Sequence, residues 1–123
     1  MPPDARAPAA ARRALEGMRS SLDRRAFDET VLLVSELVTN SVLHASLSEE
    51  QAIDLRVRVD PRCIRVDVTD AGSGFEPPEP GPARDRENGW GLTLLRRLAA
   101  RWGVRRNHGT TVWFEIMHDP HPG

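Results

Sequence analysis

Glu36, Asn40 and His44 recur at intervals of four within Ser35-Glu36-Leu37-Val38-Thr39-Asn40-Ser41-Val42-Leu43-His44-Ala45. On a helix that interval stacks the three side chains along one edge, a turn apart. Leu33 and Leu43 flank this edge, so an acid and an amide emerge from largely apolar surroundings. A carboxylate placed there must find a partner or change its protonation, because an unpaired buried charge is costly. Glu36 could orient a hydroxyl or a water for in-line attack. Asn40 offers a neutral oxygen to a hard cation, and Mg2+ usually takes one or two protein oxygens plus phosphates and water. His44, one turn on, is a candidate phosphate contact as well as a structural histidine.

Two further pieces lie downstream. Asp70 closes an alternating run and is followed by Ala71-Gly72-Ser73-Gly74-Phe75. A carboxylate on an apolar wall is a good acceptor for an exocyclic amine such as that of adenine, and Gly72 and Gly74 let a flat group approach closely. Gly89-Trp90-Gly91-Leu92 then opens a helix, where free backbone N–H groups and the helix dipole stabilise phosphate. Alone, this Gly-x-Gly is neither a Walker loop nor a dinucleotide fingerprint. In this order and on these elements, the three pieces describe one site.

The elements that must position them are legible from periodicity. Residues 27–47 read as one long helix whose core face carries Val31, Val34, Leu37, Val38, Val42 and Ala45, with Asp28 and Glu29 suited to its first turn. Residues 9–22 read as an earlier helix with Leu15, Met18 and Leu22 in one stripe. Residues 53–59 and 64–70 alternate strictly, and Asp60-Pro61-Arg62 is a turn, so the two runs form a hairpin. Asp70 shares parity with Ile64, Val66 and Val68, which puts it on the core-facing side at the strand end. Residues 76–88 hold four prolines without periodicity and form a loop. A helix then runs to Trp102 with Gly103 as its stop, followed by a short strand near Val104 and a longer one over 110–117. The fold class predicted is α+β: a two-layer sandwich of three helices on a mixed, mostly antiparallel sheet with one open face.

Composition narrows the function classes. The chain has 123 residues, 39% apolar, and a formal net charge of −1, so nothing global favours nucleic acid or a membrane surface. All 17 basic residues are arginine, which removes any lysine nucleophile, Schiff base or phosphate ligand. The single cysteine, Cys63, excludes an intrachain disulfide and a multi-cysteine zinc site. No apolar run reaches a membrane-spanning length and no signal-peptide pattern opens the chain, so a cytoplasmic location is expected.

Glu36-x-x-x-Asn40, Asp70-x-Gly72-x-Gly74 and Gly89-x-Gly91-Leu92 resemble the N, G1 and G2 boxes of the GHKL ATPase superfamily, over about residues 9–117. Within it, Ser35-Glu36-Leu37-Val38-Thr39-Asn40 and His108-Gly109-Thr110-Thr111-Val112-Trp113-Phe114-Glu115 resemble the stand-alone anti-sigma factor and serine/threonine kinase branch. The resemblance implies a single Bergerat-fold domain over 1–123, with ATP between the helices and a lid at 76–88. It implies Asp70 on the adenine amine, Asn40 on Mg2+ and Glu36 as general base toward a serine or threonine. Arg86 lies near the place of the family's lid arginine, displaced by a residue. Parity favours Thr110 as the late-strand threonine that seats adenine, while alignment with relatives favours Thr111.

The implied partners are a sigma factor and a STAS-domain anti-sigma antagonist that accepts the phosphoryl group, with homodimerisation as a further option. The competing function is a non-catalytic module whose ATP-dependent closure changes affinity for a partner. A weaker reading is the detached catalytic domain of a histidine kinase.

Overall fold

The computed structural model describes residues 3–44, 52–70, 90–106 and 109–119, with residues 44 and 90–92 in backbone only. Pro8 sits in the first turn of α1 (Ala7–Glu16), where a missing N–H leaves no helical bond unmade. Ala7, Ala11 and Leu15, spaced by four, form its buried stripe. The helix predicted to reach residue 22 stops earlier. Gly17, a poor helix residue, leads into one 3-10 turn over Arg19–Ser21, which returns Leu22 to the core.

The central helix α2 (Arg24–His44) begins three residues before the predicted start, and its cap explains why. Asp23 Oδ1 accepts the Ala26 N–H at 2.9 Å, satisfying one of the unpaired donors of the first turn. Asp28 and Glu29 instead pair with Arg24 and Arg25 at i,i+4, at 3.8 and 2.8 Å. The predicted end at residue 47 lies outside the described residues. Leu33, Val34, Leu37 and Val38 are fully buried, while Val31 and Val42 pack at the margin of the core. The edge bearing Glu36 and Asn40 is therefore flanked asymmetrically: Leu33 is buried, but Leu43 is 67% exposed.

Strands β1 (Asp54–Asp60) and β2 (Cys63–Asp70) form the predicted hairpin, with Asp60 paired to Cys63 across Pro61-Arg62. Helix α3 (Trp90–Leu98) precedes β3 (Arg101–Arg106) and β4 (Thr110–Met117). The order is β1-β2-β4-β3, and every pairing among the described strands is antiparallel, without the parallel pair that a mixed sheet would contain. Ile64, Val66 and Val68 of β2 and Val112, Phe114 and Ile116 of β4 are buried on one face. Burying each such side chain is worth about 1.5–3 kcal/mol. Helix α2 touches this face and also packs against α1 and α3, so it is the element through which the layers meet.

The C-terminal part of α3 corrects a sequence expectation. The helix ends at Leu98, and Trp102 and Gly103 belong to β3. The Ala100 N–H already donates to the Glu115 carbonyl at 2.8 Å, and Gly103 pairs with Trp113. A Cβ at Gly103 would lie 2.7 Å from Trp113 Nε1, so the glycine makes room for an indole rather than ending a helix. Trp113 lies on the outer sheet face beneath the Arg65 guanidinium, 4.3 Å from the ring centroid. Around it, Asp67 meets Arg65 and Arg105 at 3.1 and 3.0 Å, and Glu115 meets Arg101 at 3.0 Å. The outer face is polar, as the alternation of Asp54, Arg56 and Arg58 requires. No helix among the described residues is long and apolar enough to cross a membrane.

Asp23 also ties the start of α2 to the segment after β4, because its Oδ2 accepts the Asp119 N–H at 2.9 Å. The Ala26 N–H first, and then the Asp119 N–H, hold its carboxyl below the ordinary aspartate value. That direction means its contribution is present above the unfolded-state value and fades as pH falls through the folded one. Asp23→Ala should therefore cost about 1 kcal/mol at pH 7 by urea unfolding, and the two proteins should converge in strongly acid buffer. An unchanged difference in acid would show that the loss is steric and owes nothing to the charge.

Candidate functional site

Three elements converge at the end of the sheet nearest the C-terminal half of α2. Alternation along β2 carries the core face through Ile64, Val66 and Val68 to Asp70, a residue only 3% exposed. β4 begins at Thr110, directly opposite Asp70 in the pairing register and likewise buried. Gly109 delivers the chain to that position with φ of 139°, a conformation that glycine adopts without a side-chain clash. From α2, the Ser41 hydroxyl donates to Asp70 Oδ2 at 2.8 Å. An acid, a threonine and a serine thus share one buried corner.

Next to Ser41 in the chain, Asn40 is half-buried, and its Nδ2 is buried with no hydrogen-bond partner among the described residues. A buried donor left unpaired costs about 1–3 kcal/mol. The amide is therefore poised to be satisfied by something that arrives. A carboxamide can present oxygen or nitrogen by turning about its last bond. Glu36, one turn earlier on the same helix edge, is also half-buried.

These residues suit a nucleotide and its metal. Among the described residues there is no cluster of three or more His, Cys, Asp or Glu side chains able to hold a metal ion. An ion at this end would rely on the Asn40 amide oxygen, with phosphate and water oxygens completing the shell. The other end of the site, with its buried carboxylate, offers an acceptor rather than a metal cage.

The two candidate threonines are separated by the sheet itself. Thr110 lies on the core face beside Asp70, whereas Thr111 turns outward and shares a 2.8 Å hydrogen bond with Thr69. The structure brings only Thr110 to the corner, because the β2–β4 register runs without a bulge from Cys63–Met117 to Asp70–Thr110. His44 is the last residue of α2, and Gly91 and Leu92 lie in the first turn of α3; the side-chain placement expected of them falls outside the description. Gly72, Gly74, Arg86, Gly89 and the lid over 76–88 lie outside the described residues.

Ser41 is the residue that motif reasoning passed over. Its signal is nonetheless present: it stands four residues after Leu37 and three after Val38, on the core stripe of α2. A hydroxyl in that register needs a partner, and the only question is which strand supplies it.

A profile of the histidine kinase-like ATPase domain matches residues 1–116. Solved structures with the same architecture include the histidine kinase domain from the blue-light activated histidine kinase of Erythrobacter litoralis, 28% identical with a TM-score of 0.56 over 88% of this chain and 56% of that one. A second structure of that kinase is 25% identical, with a TM-score of 0.59 over 88% of this chain and 39% of that one. The catalytic domain of histidine kinase ThkA is 20% identical, with a TM-score of 0.53 over 76% and 69% of the two chains, a likeness of fold alone. This chain thus spans less than two thirds of either Erythrobacter chain. No curated protein gives a significant match to the sequence.

Proposed function

This chain belongs to the histidine kinase-like ATPase domain family, and from that premise we propose that it is an ATP-dependent regulator of the anti-sigma type. In this reading it phosphorylates a serine or threonine of a STAS-domain antagonist, sequesters a sigma factor, or does both, as a cytoplasmic protein. The observation that carries the nucleotide part is the buried Asp70, bonded by Ser41 and level with Thr110, with the buried Asn40 amide nitrogen, one residue before Ser41 on α2, lacking a partner among the described residues. Asp70 accepts the adenine amine, and Thr110 closes the same side of the base. Asn40 holds Mg2+, which when bound neutralises charge on the phosphates. Glu36 accepts the proton of the attacking hydroxyl as the new P–O bond forms and the β–γ bridge oxygen leaves with ADP. The choice of a hydroxyl acceptor rests on the resemblance of residues 35–40 and 108–115 to the anti-sigma kinases.

The likeness to histidine kinase domains favours one competing acceptor, an imidazole. Both are tested by incubating the full chain with Mg2+, γ-labelled ATP and the STAS-domain protein encoded nearest its gene. Label on the STAS protein that survives acid and is lost in alkali is the expected result. Acid-labile label would indicate phosphohistidine. ATP binding without any transfer would leave a nucleotide-dependent binding module instead.

A further inference from the structure

We propose that the free edge of β3 docks an extended segment of a protein partner whose side chains alternate acidic and apolar, a contact that makes no use of the nucleotide site. β3 ends the order β1-β2-β4-β3 and, among the described residues, pairs with β4 alone. Half of its backbone N–H and C=O groups therefore point away from β4, in a row that an added strand can pair. The side chains leave that row clear. Arg101, Gly103 and Arg105 share the outer face, and both guanidiniums are drawn inward over the sheet, Arg101 to Glu115 on β4 and Arg105 across β4 to Asp67 on β2, each at 3.0 Å. Gly103 between them presents no side chain. An edge guarded against pairing would turn its charges outward or carry a proline or a bulge. β3 contains no proline, and its register with β4 runs unbroken from Arg101 to Arg106. On the inner face Trp102 and Val104 pack against the core yet are only half-buried, which leaves apolar surface where a neighbouring strand's inner side chains would lie.

Charge selects the partner. Three guanidiniums share two carboxylates: Asp67 meets Arg65 and Arg105, and Glu115 meets Arg101 and, at 3.6 Å, Arg65. This cluster carries one positive charge in excess. The excess is accessible, because the Arg101 and Arg105 side chains are 69% and 60% exposed while both acids are largely buried. A strand added in register sets its residues i and i+4 opposite Arg101 and Arg105, and i+1 and i+3 beside Trp102 and Val104. The segment that fits reads acidic-apolar-x-apolar-acidic. A second copy of β3 fits poorly. Antiparallel pairing centred on Gly103 opposes Arg101 of one chain to Arg105 of the other, and like charges directly opposite are destabilising.

The experiment is fluorescence anisotropy of the full chain with a dye-labelled, end-blocked peptide, Glu-Val-Thr-Val-Glu, with and without Mg-ATP. Its saturable binding should be tighter than that of Lys-Val-Thr-Val-Lys by at least about 10-fold and should weaken as ionic strength rises. Replacing both Arg101→Gln and Arg105→Gln should weaken it at least about 10-fold. Two further peptides, N-methylated at alternate amides so that each blocks one edge, separate strand addition from plain charge attraction, and one of them should fail to bind. Should the double variant fail to fold, amide exchange in wild type gives the answer. Residues 101–105 should gain protection on adding the peptide, while those of β1, the opposite edge, should not. Failure of the acidic peptide to bind, equal binding of the lysine peptide, full binding by both N-methylated peptides, or protection at β1 instead overturns the proposal. Self-association of the full chain that the same two substitutions abolish would assign this edge to a second copy and overturn it as well.

Discussion

Asp70→Asn should raise the Kd for Mg-ATP at least about 100-fold with little change in the melting transition. The substitution keeps the shape of the side chain and removes its charge. Ser41 donates to Oδ2, so the amide oxygen of the variant will turn to the serine and its NH2 group toward the ligand. A donor then faces the adenine amine, itself a donor, and both are left unpaired in a buried corner. A hydrogen bond to a charged group is worth about 1.5–3 kcal/mol and an unpaired buried donor costs about 1–3 kcal/mol. Together these account for two or more decades of affinity. The measurement is isothermal titration of both proteins at equal ionic strength, with circular dichroism to confirm the fold. A variant Kd within threefold of wild type would show that Asp70 is a structural acid bonded by Ser41, and that the nucleotide sits elsewhere.

The contrast between Asp70 and Ser41 shows what a sequence reveals and what it conceals. Asp70 was readable because strand parity is a local rule: Ile64, Val66, Val68 and Asp70 share a face whatever the rest of the chain does. Thr110 follows by the same rule from Val112 and Phe114, and the register places it opposite Asp70. Ser41 was concealed because its partner lies 29 residues away, on a strand whose distance from α2 no periodicity encodes. The end of α3 failed for a related reason. Leu92, Leu95, Leu98, Ala99 and Trp102 keep helical spacing across a real break. What stops the helix is the pairing of Arg101 with Glu115 and Gly103 with Trp113, a non-local contact that overrides local propensity. The start of α2 was misplaced although its signal was local. Asp23 is a good capping residue three positions before Ala26, but the apolar periodicity that sets the predicted start begins only at Phe27.

Glu36→Gln should lower the rate of phosphoryl transfer about 10²- to 10⁴-fold, the usual contribution of a general base, and leave the Kd for Mg-ATP within about twofold. The separation follows from where the residues stand. Asp70, Ser41 and Thr110 form the buried corner proposed for the base, and Asn40 adjoins it along α2. Glu36 is a further turn toward the N-terminus on the same edge, about 5 to 6 Å along the axis, and half-buried rather than enclosed. A group there can meet an incoming hydroxyl without forming any of the contacts that hold adenine. Glutamine preserves its volume and one carbonyl oxygen, so the acceptor can still be oriented, but it cannot carry the proton away. Single-turnover assays with pre-bound ATP isolate that loss from binding. Transfer at the wild-type rate would remove Glu36 from the chemistry, and the base would have to be sought among other residues. A parallel fall in ATP affinity would instead place Glu36 in nucleotide binding. The informative quantity is therefore the ratio of the two effects, because only a base confined to the attacking side lowers one and spares the other.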